Sequence, residues 1–244
     1  MGAFLSATPT RLNAVIETPD MLTATQRILG VPLSCLRGLP CDPFGDTAVN
    51  TNVDFTIRHN KALDAWIKAL KKVCHGHKVQ RGATLDADCL PDGVIYNYPK
   101  HNTNTYLEAK LKSPLDSHGR PHCPDAEKAA FGGLGHIVDE INDKYQDRLR
   151  LGKHELAELI ADTFGALHPV GRKLVLDANE RLARGRNARP GADPSDPDAD
   201  APSSDEKRRV PRPLLSVSIA VHVAISAHIH CYASNLRSNA PTAA

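Results

Sequence analysis

The chain reads as an α/β protein, a central mixed sheet of about four strands flanked by helices, and three features of the sequence predict this. Between His59 and Cys74 the apolar residues Leu63, Trp66, Ile67, Leu70 and Val73 recur at helical spacing. TYLEAKLK, residues 105 to 112, alternates with a period of two, as a strand does. Segments of the two kinds follow one another in the order helix, three strands, helix, strand, helix, with further helical extensions at both ends.

Thr18 to Leu29 (TPDMLTATQRIL) predicts a short helix, stopped by Gly30 and Pro32. Residues 35 to 58 are loop-rich, and the amphipathic helix from His59 ends at His75-Gly76. Strands are expected near 77 to 82, 93 to 98 and 104 to 112, with the polar KHNTNT (100 to 105) as the connection between the last two. A second long helix is expected from Pro124 to Arg148, weakened early by glycines at 132, 133 and 135. ELAELIADTF, residues 155 to 164, fits either a helix or a buried fourth strand. Pro169 then starts a helix to about Arg184.

Residues 187 to 206 carry six acids and one Arg among Pro, Ser and Gly, which marks a disordered linker or a long surface loop. LLSVSIAVHVAISAHIHCYA follows the basic residues 207 to 212. It alternates over a long run, but its length and Ala content favour a helix. A membrane span is disfavoured because His222, His228 and His230 are costly in a stretch barely long enough to cross. The same histidines with Cys231 have no second ligand cluster at convincing spacing, so an apolar element with polar interruptions is preferred to a metal site.

At 244 residues and 41% hydrophobic content the chain can bury one good core with appendages. The expected division is an N-terminal helix and loop (1–57), a core (58–186), a linker (187–212) and a C-terminal helix on the core (213–236). The N-terminus lacks a signal peptide pattern, and six cysteines in a chain this long suggest reduced thiols rather than a disulfide scaffold. A nuclear or cytoplasmic protein, not secreted, is expected.

The chemistry concentrates in LPDGVIYNYPKHNTNTYLEAKLK, residues 90 to 112. Side chains two apart on a strand share a face, so Glu108 and Lys110 point one way while Leu107, Ala109 and Leu111 pack the other way. A hairpin brings Asp92, at the start of the preceding strand, within reach of Glu108. Two carboxylates are hard oxygen ligands suited to Mg²⁺ or Mn²⁺, and Lys110 can orient or deprotonate a water for attack on a phosphodiester. The competing reading of Glu108 and Lys110 is an ion pair on a solvated sheet face. Pro124, Asp125, Glu127 and Lys128 spell a similar pattern but read as the acidic first turn of a helix.

Net charge is only +2, yet Arg58 to Lys112 holds ten Lys or Arg against five acids. Arg58, Lys71, Lys72, Lys78, Arg81 and Lys112 form the candidate phosphate-facing set. Taken alone, the run from Lys71 to Arg81 reads equally well as a solvated helix end.

LPDGVIYNY with YLEAK resembles the PD-(D/E)XK restriction-endonuclease-like superfamily, whose α-β-β-β-α-β core matches the element order above. More narrowly, CDPFGD, RHN at 58 to 60, LKSPL at 111 to 115, AEKAA, DKY at 143 to 145 and DTFGAL at 162 to 167 resemble the restriction-like endonuclease region of LINE-type reverse transcriptases and related eukaryotic mobile-element proteins. LLSVSIAVHVAI is similar to the terminal helix of those regions. The resemblance implies target-DNA nicking, with Asp92 and Glu108 as ligands of Mg²⁺ or Mn²⁺ and Lys110 as base or water-orienting group. It also implies DNA as partner, a homodimer or the parent retroelement machinery as compatible assemblies, and no membrane. Relatives carry a zinc-like Cys/His cluster around the GD motif. Here Cys35 and Cys41 remain, but Thr47 and Asn50 stand where a His and a Cys are expected; two ligands do not hold a structural zinc, His59 is the candidate third, and a filled zinc site is not expected. The chain carries no reverse-transcriptase motifs, which reads as a remnant, a fragment or a domesticated domain; the alternative functions are an inactive nucleic-acid-binding remnant and, third, an interaction module unrelated to nucleic acid.

Overall fold

A computed structural model describes residues 18–51, 55–85, 89–115, 120, 135–152, 154–187 and 212–239. Most of the expected 187–212 linker lies outside the described residues, as do Pro124 to Lys128 and the early turns of the helix expected there.

The elements in chain order are α1 (Thr18–Leu29), a 3-10 turn (Ser34–Leu36), α2 (Asp46–Asn50), α3 (Phe55–Val73), β1 (Val79–Arg81), β2 (Gly93–Ile95), β3 (Thr105–Lys112), α4 (Gly135–Gly152), β4 (Glu155–Asp162), α5 (Pro169–Asn187) and α6 (Arg212–Ser238). α3 begins at Phe55, ahead of His59. The chain that reads as ambiguous over 155 to 164 forms a strand as far as Asp162.

The four strands form one sheet in the order β1-β2-β3-β4. β1 and β2, and β2 and β3, pair antiparallel, whereas β3 and β4 pair parallel over their whole length. A parallel pair needs a long crossover, and α4 lies within it. The fold is thus α/β with a four-stranded mixed sheet flanked by helices.

The sheet is covered on both faces. Leu107 and Ala109 of β3, with Ala157 and Leu159 of β4, pack with α3 (Trp66, Leu70), α5 (Val175, Ala178) and the first turns of α6 (Leu214, Val217). On the other face Val94, Tyr106 and Ile160 meet Ile137, Ile141, Tyr145 and Leu149 of α4. Strand β3 therefore does not present the solvated polar face that the competing ion-pair reading expects, because α4 lies over it. Only Lys110 and Lys112 at its end escape burial.

Gly93 makes this layering possible. A Cβ there would stand 2.9 Å from the Gln80 carbonyl and 3.1 Å from Ile67 Cδ1, so only glycine lets α3 and β1 close over β2 at this point.

A third apolar cluster joins the two ends of the chain. Leu33, Leu36, Ala48 and Val49 pack against Val221, Ile225, Ile229 and Ala233 of α6. The histidines of α6 take part in this seam. Nε2 of His228 meets the Ala48 carbonyl at 2.8 Å, and His230 pairs with Thr23 at 3.1 Å. α6 is long and apolar enough to cross a membrane by length and composition, but 61% of that stretch is buried inside the fold.

Candidate functional site

Asp92 immediately precedes β2, and β2 is short. The ladder pairs Gly93 with Leu107, and continuing that register by one residue sets Asp92 opposite Glu108 on the same face. The Asp92 carboxylate accepts the Ala109 backbone N–H at 2.8 Å, which fixes it against β3 beside Glu108. Both carboxylates act electrostatically on the Tyr145 phenol, and the Lys110 charge acts on Asp92. Asp92 and Glu108 thus stand opposite one another across β2 and β3, with Lys110 paired to Glu108.

Glu108 is 3% exposed and fully engaged. Lys110 Nζ lies 3.0 Å and Lys144 Nζ 3.4 Å from its Oε1, and the Tyr145 hydroxyl donates to Oε2 at 2.6 Å. Two ammonium groups and a phenol compensate the desolvation of one buried carboxylate. Burial and then the Glu108 hydrogen bond drive the Tyr145 pKa upward, so the phenol stays a donor. The Glu108–Lys110 pair exists, as the competing sequence reading expects, but on a covered face rather than a solvated one.

His59 completes the cluster from α3. Its Nε2 lies 3.1 Å from the Ala109 carbonyl and 3.4 Å from Asp92 Oδ2. A carbonyl only accepts, so Nε2 carries the hydrogen. The hydrogen bond to Asp92 raises the His59 pKa above its ordinary value in spite of burial. Burial pushes the Asp92 carboxyl upward, but the His59 and Ala109 hydrogen bonds outweigh it and the net shift is down.

Glu158 of β4 is the parallel-register partner of Glu108 and is 6% exposed, with its pKa raised by burial. His59, Lys144, Tyr145 and Glu158 were not among the predicted site residues. RHN and DKY mark three of these positions as motif members, and of the three only His59 carries a candidate role in the sequence, as a third zinc ligand.

The motif RHN divides its work among three neighbours. The Arg58 guanidinium donates to the Val49 carbonyl, His59 faces Asp92, and Asn60 accepts from Arg81 Nη2 at 2.6 Å. Arg58 is 6% exposed, which corrects its assignment as a phosphate contact: it ties α3 to α2 from inside. Arg81 is exposed but pairs with Asp64 at 2.6 Å. Lys112 is exposed at the end of β3. Lys71, Lys72 and Lys78 are also exposed, but they stand at the other end of α3. With a rise of 1.5 Å per residue, Lys72 lies about 20 Å along the helix from His59.

At the positions read from the sequence as a degenerate zinc cluster, ordinary polar contacts stand. The Asn50 amide donates to the Asp46 and Leu115 carbonyls at 2.9 and 3.2 Å, and Asp42 accepts the Thr47 N–H at 2.8 Å. Cys35 and Cys41 are free thiols. Among the described residues no group of three or more His, Cys, Asp or Glu side chains is gathered to hold a metal ion.

No family model matches the chain, and no curated protein matches it significantly.

Proposed function

We propose that the chain is a metal-dependent DNA endonuclease domain with a restriction-endonuclease-like core, of the kind carried by mobile elements, acting on phosphodiester bonds in the nucleus or cytoplasm. The observation that carries this reading is the convergence of Asp92, Glu108 and Lys110 on adjacent strands of a sheet whose pairing runs antiparallel, antiparallel, parallel.

The donor set suits a hard divalent cation in kind, since two carboxylates stand opposite one another across β2 and β3, and Asp92 and Glu108 would hold Mg²⁺ or Mn²⁺. When bound, such a cation supplies Lewis-acid polarisation of the phosphodiester and lowers the pKa of a water. Lys110, two residues from Glu108 and partly exposed, would orient a water and meet charge developing on the phosphate. His59 holds the Asp92 carboxylate and the Ala109 carbonyl in place. Tyr145 and Lys144 do the same for Glu108.

A second reading, an inactive nucleic-acid-binding remnant, is favoured by one observation: both Glu108 oxygens are already engaged by Lys110, Lys144 and Tyr145. Nicking of supercoiled DNA separates the two. Cleavage is expected with Mg²⁺ or Mn²⁺ and none in chelator, together with Mn²⁺ binding by calorimetry that Asp92→Asn abolishes. Binding of DNA without cleavage in either metal would select the remnant.

A further inference from the structure

Helix α1 turns its apolar side outward. Asp20, Thr23, Ala24 and Arg27, spaced i, i+3, i+4 and i+7, share the side that packs on α6: Thr23, Ala24 and Arg27 are buried, and the Asp20 carbonyl accepts from the Ser226 hydroxyl. Both charged residues of the helix therefore stand on its packed side. The opposite side carries Met21, Leu22, Thr25 and Leu29, none of them charged, and Met21, Leu22 and Leu29 are 42%, 49% and 66% exposed. A surface helix ordinarily places these residue types the other way round. Val31 and Phe44 are exposed as well, and with Leu29 they line a cavity of about 760 Å³ that continues the face past the end of the helix.

We propose that this face is the interface between two copies of the chain, with their α1 helices antiparallel across a two-fold axis at Thr25. Such a contact demands a surface that complements itself. Met21 and Leu29 stand four residues to either side of Thr25, about 6 Å along the helix, so the axis sets each Met21 against Leu29 of the other copy. There the cavity beside Leu29 offers irregular space, which an unbranched thioether fills well. The lack of charge gives a foreign partner nothing to steer by, and it leaves no ion to desolvate when two copies meet. Met21, Leu22, Leu29, Val31 and Phe44 together keep on the order of 400 Å² of apolar surface in water. At the roughly 65% apolar content of homodimer interfaces, two copies would bury about 1,200 Å², above the ~1,000 Å² that a stable association needs. The interface is independent of the nuclease reading and of the Asp92–Glu108 site.

Sedimentation equilibrium of the full chain is the test. The 26.4 kDa chain is expected to approach twice that mass at about 50 μM. Met21→Glu and Leu29→Lys, both at exposed positions, should each weaken association about tenfold or more. Mixed in equal amounts, the two variants should recover the dimer. The two-fold then pairs the new carboxylate with the new ammonium at one contact and leaves Leu29 on Met21 at the other. Neither misfolding nor unspecific adhesion produces that rescue. A wild-type chain that stays at 26.4 kDa up to about 100 μM would overturn the proposal, whatever else the face binds. So would single variants that associate as tightly as the wild type, or a mixture that stays monomeric.

Discussion

Asp92 and Lys110 stand in one cluster yet answer to different neighbours, and their substitutions should differ accordingly. Lys110→Ala is expected to lower cleavage by about 10²–10⁴-fold while DNA affinity stays within a few-fold, because the ammonium acts on water and developing charge rather than on the duplex. Asp92→Ala should lose cleavage and Mn²⁺ binding together, read by calorimetry, and should not weaken DNA binding, since a repelling carboxylate is gone. Wild-type rates in Lys110→Ala would reduce Lys110 to the ion-pair partner of Glu108. Asp162 carries the pH signature at this scale. Burial raises its pKa from 3.8 to about 6, against the opposing hydrogen bonds from the Ala166 and Phe164 N–H groups. The folded state holds this proton more tightly than the unfolded chain, so the associated stability is fully present below about pH 4 and is lost as pH rises through about 6. At a cost of 1.36 kcal/mol per pKa unit, urea titrations should show Asp162→Asn flattening that slope and recovering about 2–3 kcal/mol at pH 7.5. Asp92, whose pKa is depressed, slopes the other way and loses its contribution as pH falls through its folded pKa.

At the level of single elements, β2 and α3 fix the site. Gly93→Ala pushes a methyl against the Gln80 carbonyl and Ile67, and should cost about 1–3 kcal/mol in chemical denaturation while shifting Asp92, its neighbour, out of register. The same elements show what could be read from the chain. Period-two alternation in TYLEAKLK correctly put Glu108 and Lys110 on one face and Leu107, Ala109 and Leu111 on the other. It could not reveal that α4 covers the polar face, because the covering residues are 37 positions further on, at Tyr145, and depend on a parallel crossover. ELAELIAD is ambiguous for a related reason: Ala157 through Asp162 are all buried, and a strand buried on both faces shows no alternation. Arg58 belongs to the basic run by composition, but its helical phase turns it inward toward Val49, and only tertiary contacts decide that.

Across the whole molecule, α6 holds the fold shut. It contributes Leu214 and Val217 to the main core and Val221, Ile225 and Ile229 to the seam with the N-terminal region. Ending the chain at Asn187 should therefore abolish cooperative thermal unfolding, not merely lower its midpoint. The pairings that close this seam are far apart in sequence: Thr23 meets His230, and Asp20 accepts from Ser226, across 207 and 206 positions. During synthesis α3 leaves the ribosome roughly 150 residues ahead of the helix that covers it. At about 5–20 residues per second the part of its apolar side that α6 covers waits about 8–30 s for that partner. Anyone producing this protein should accordingly find yield governed by translation speed and chaperone supply, and an α6 peptide added in trans should rescue the truncated chain only while that chain is being made.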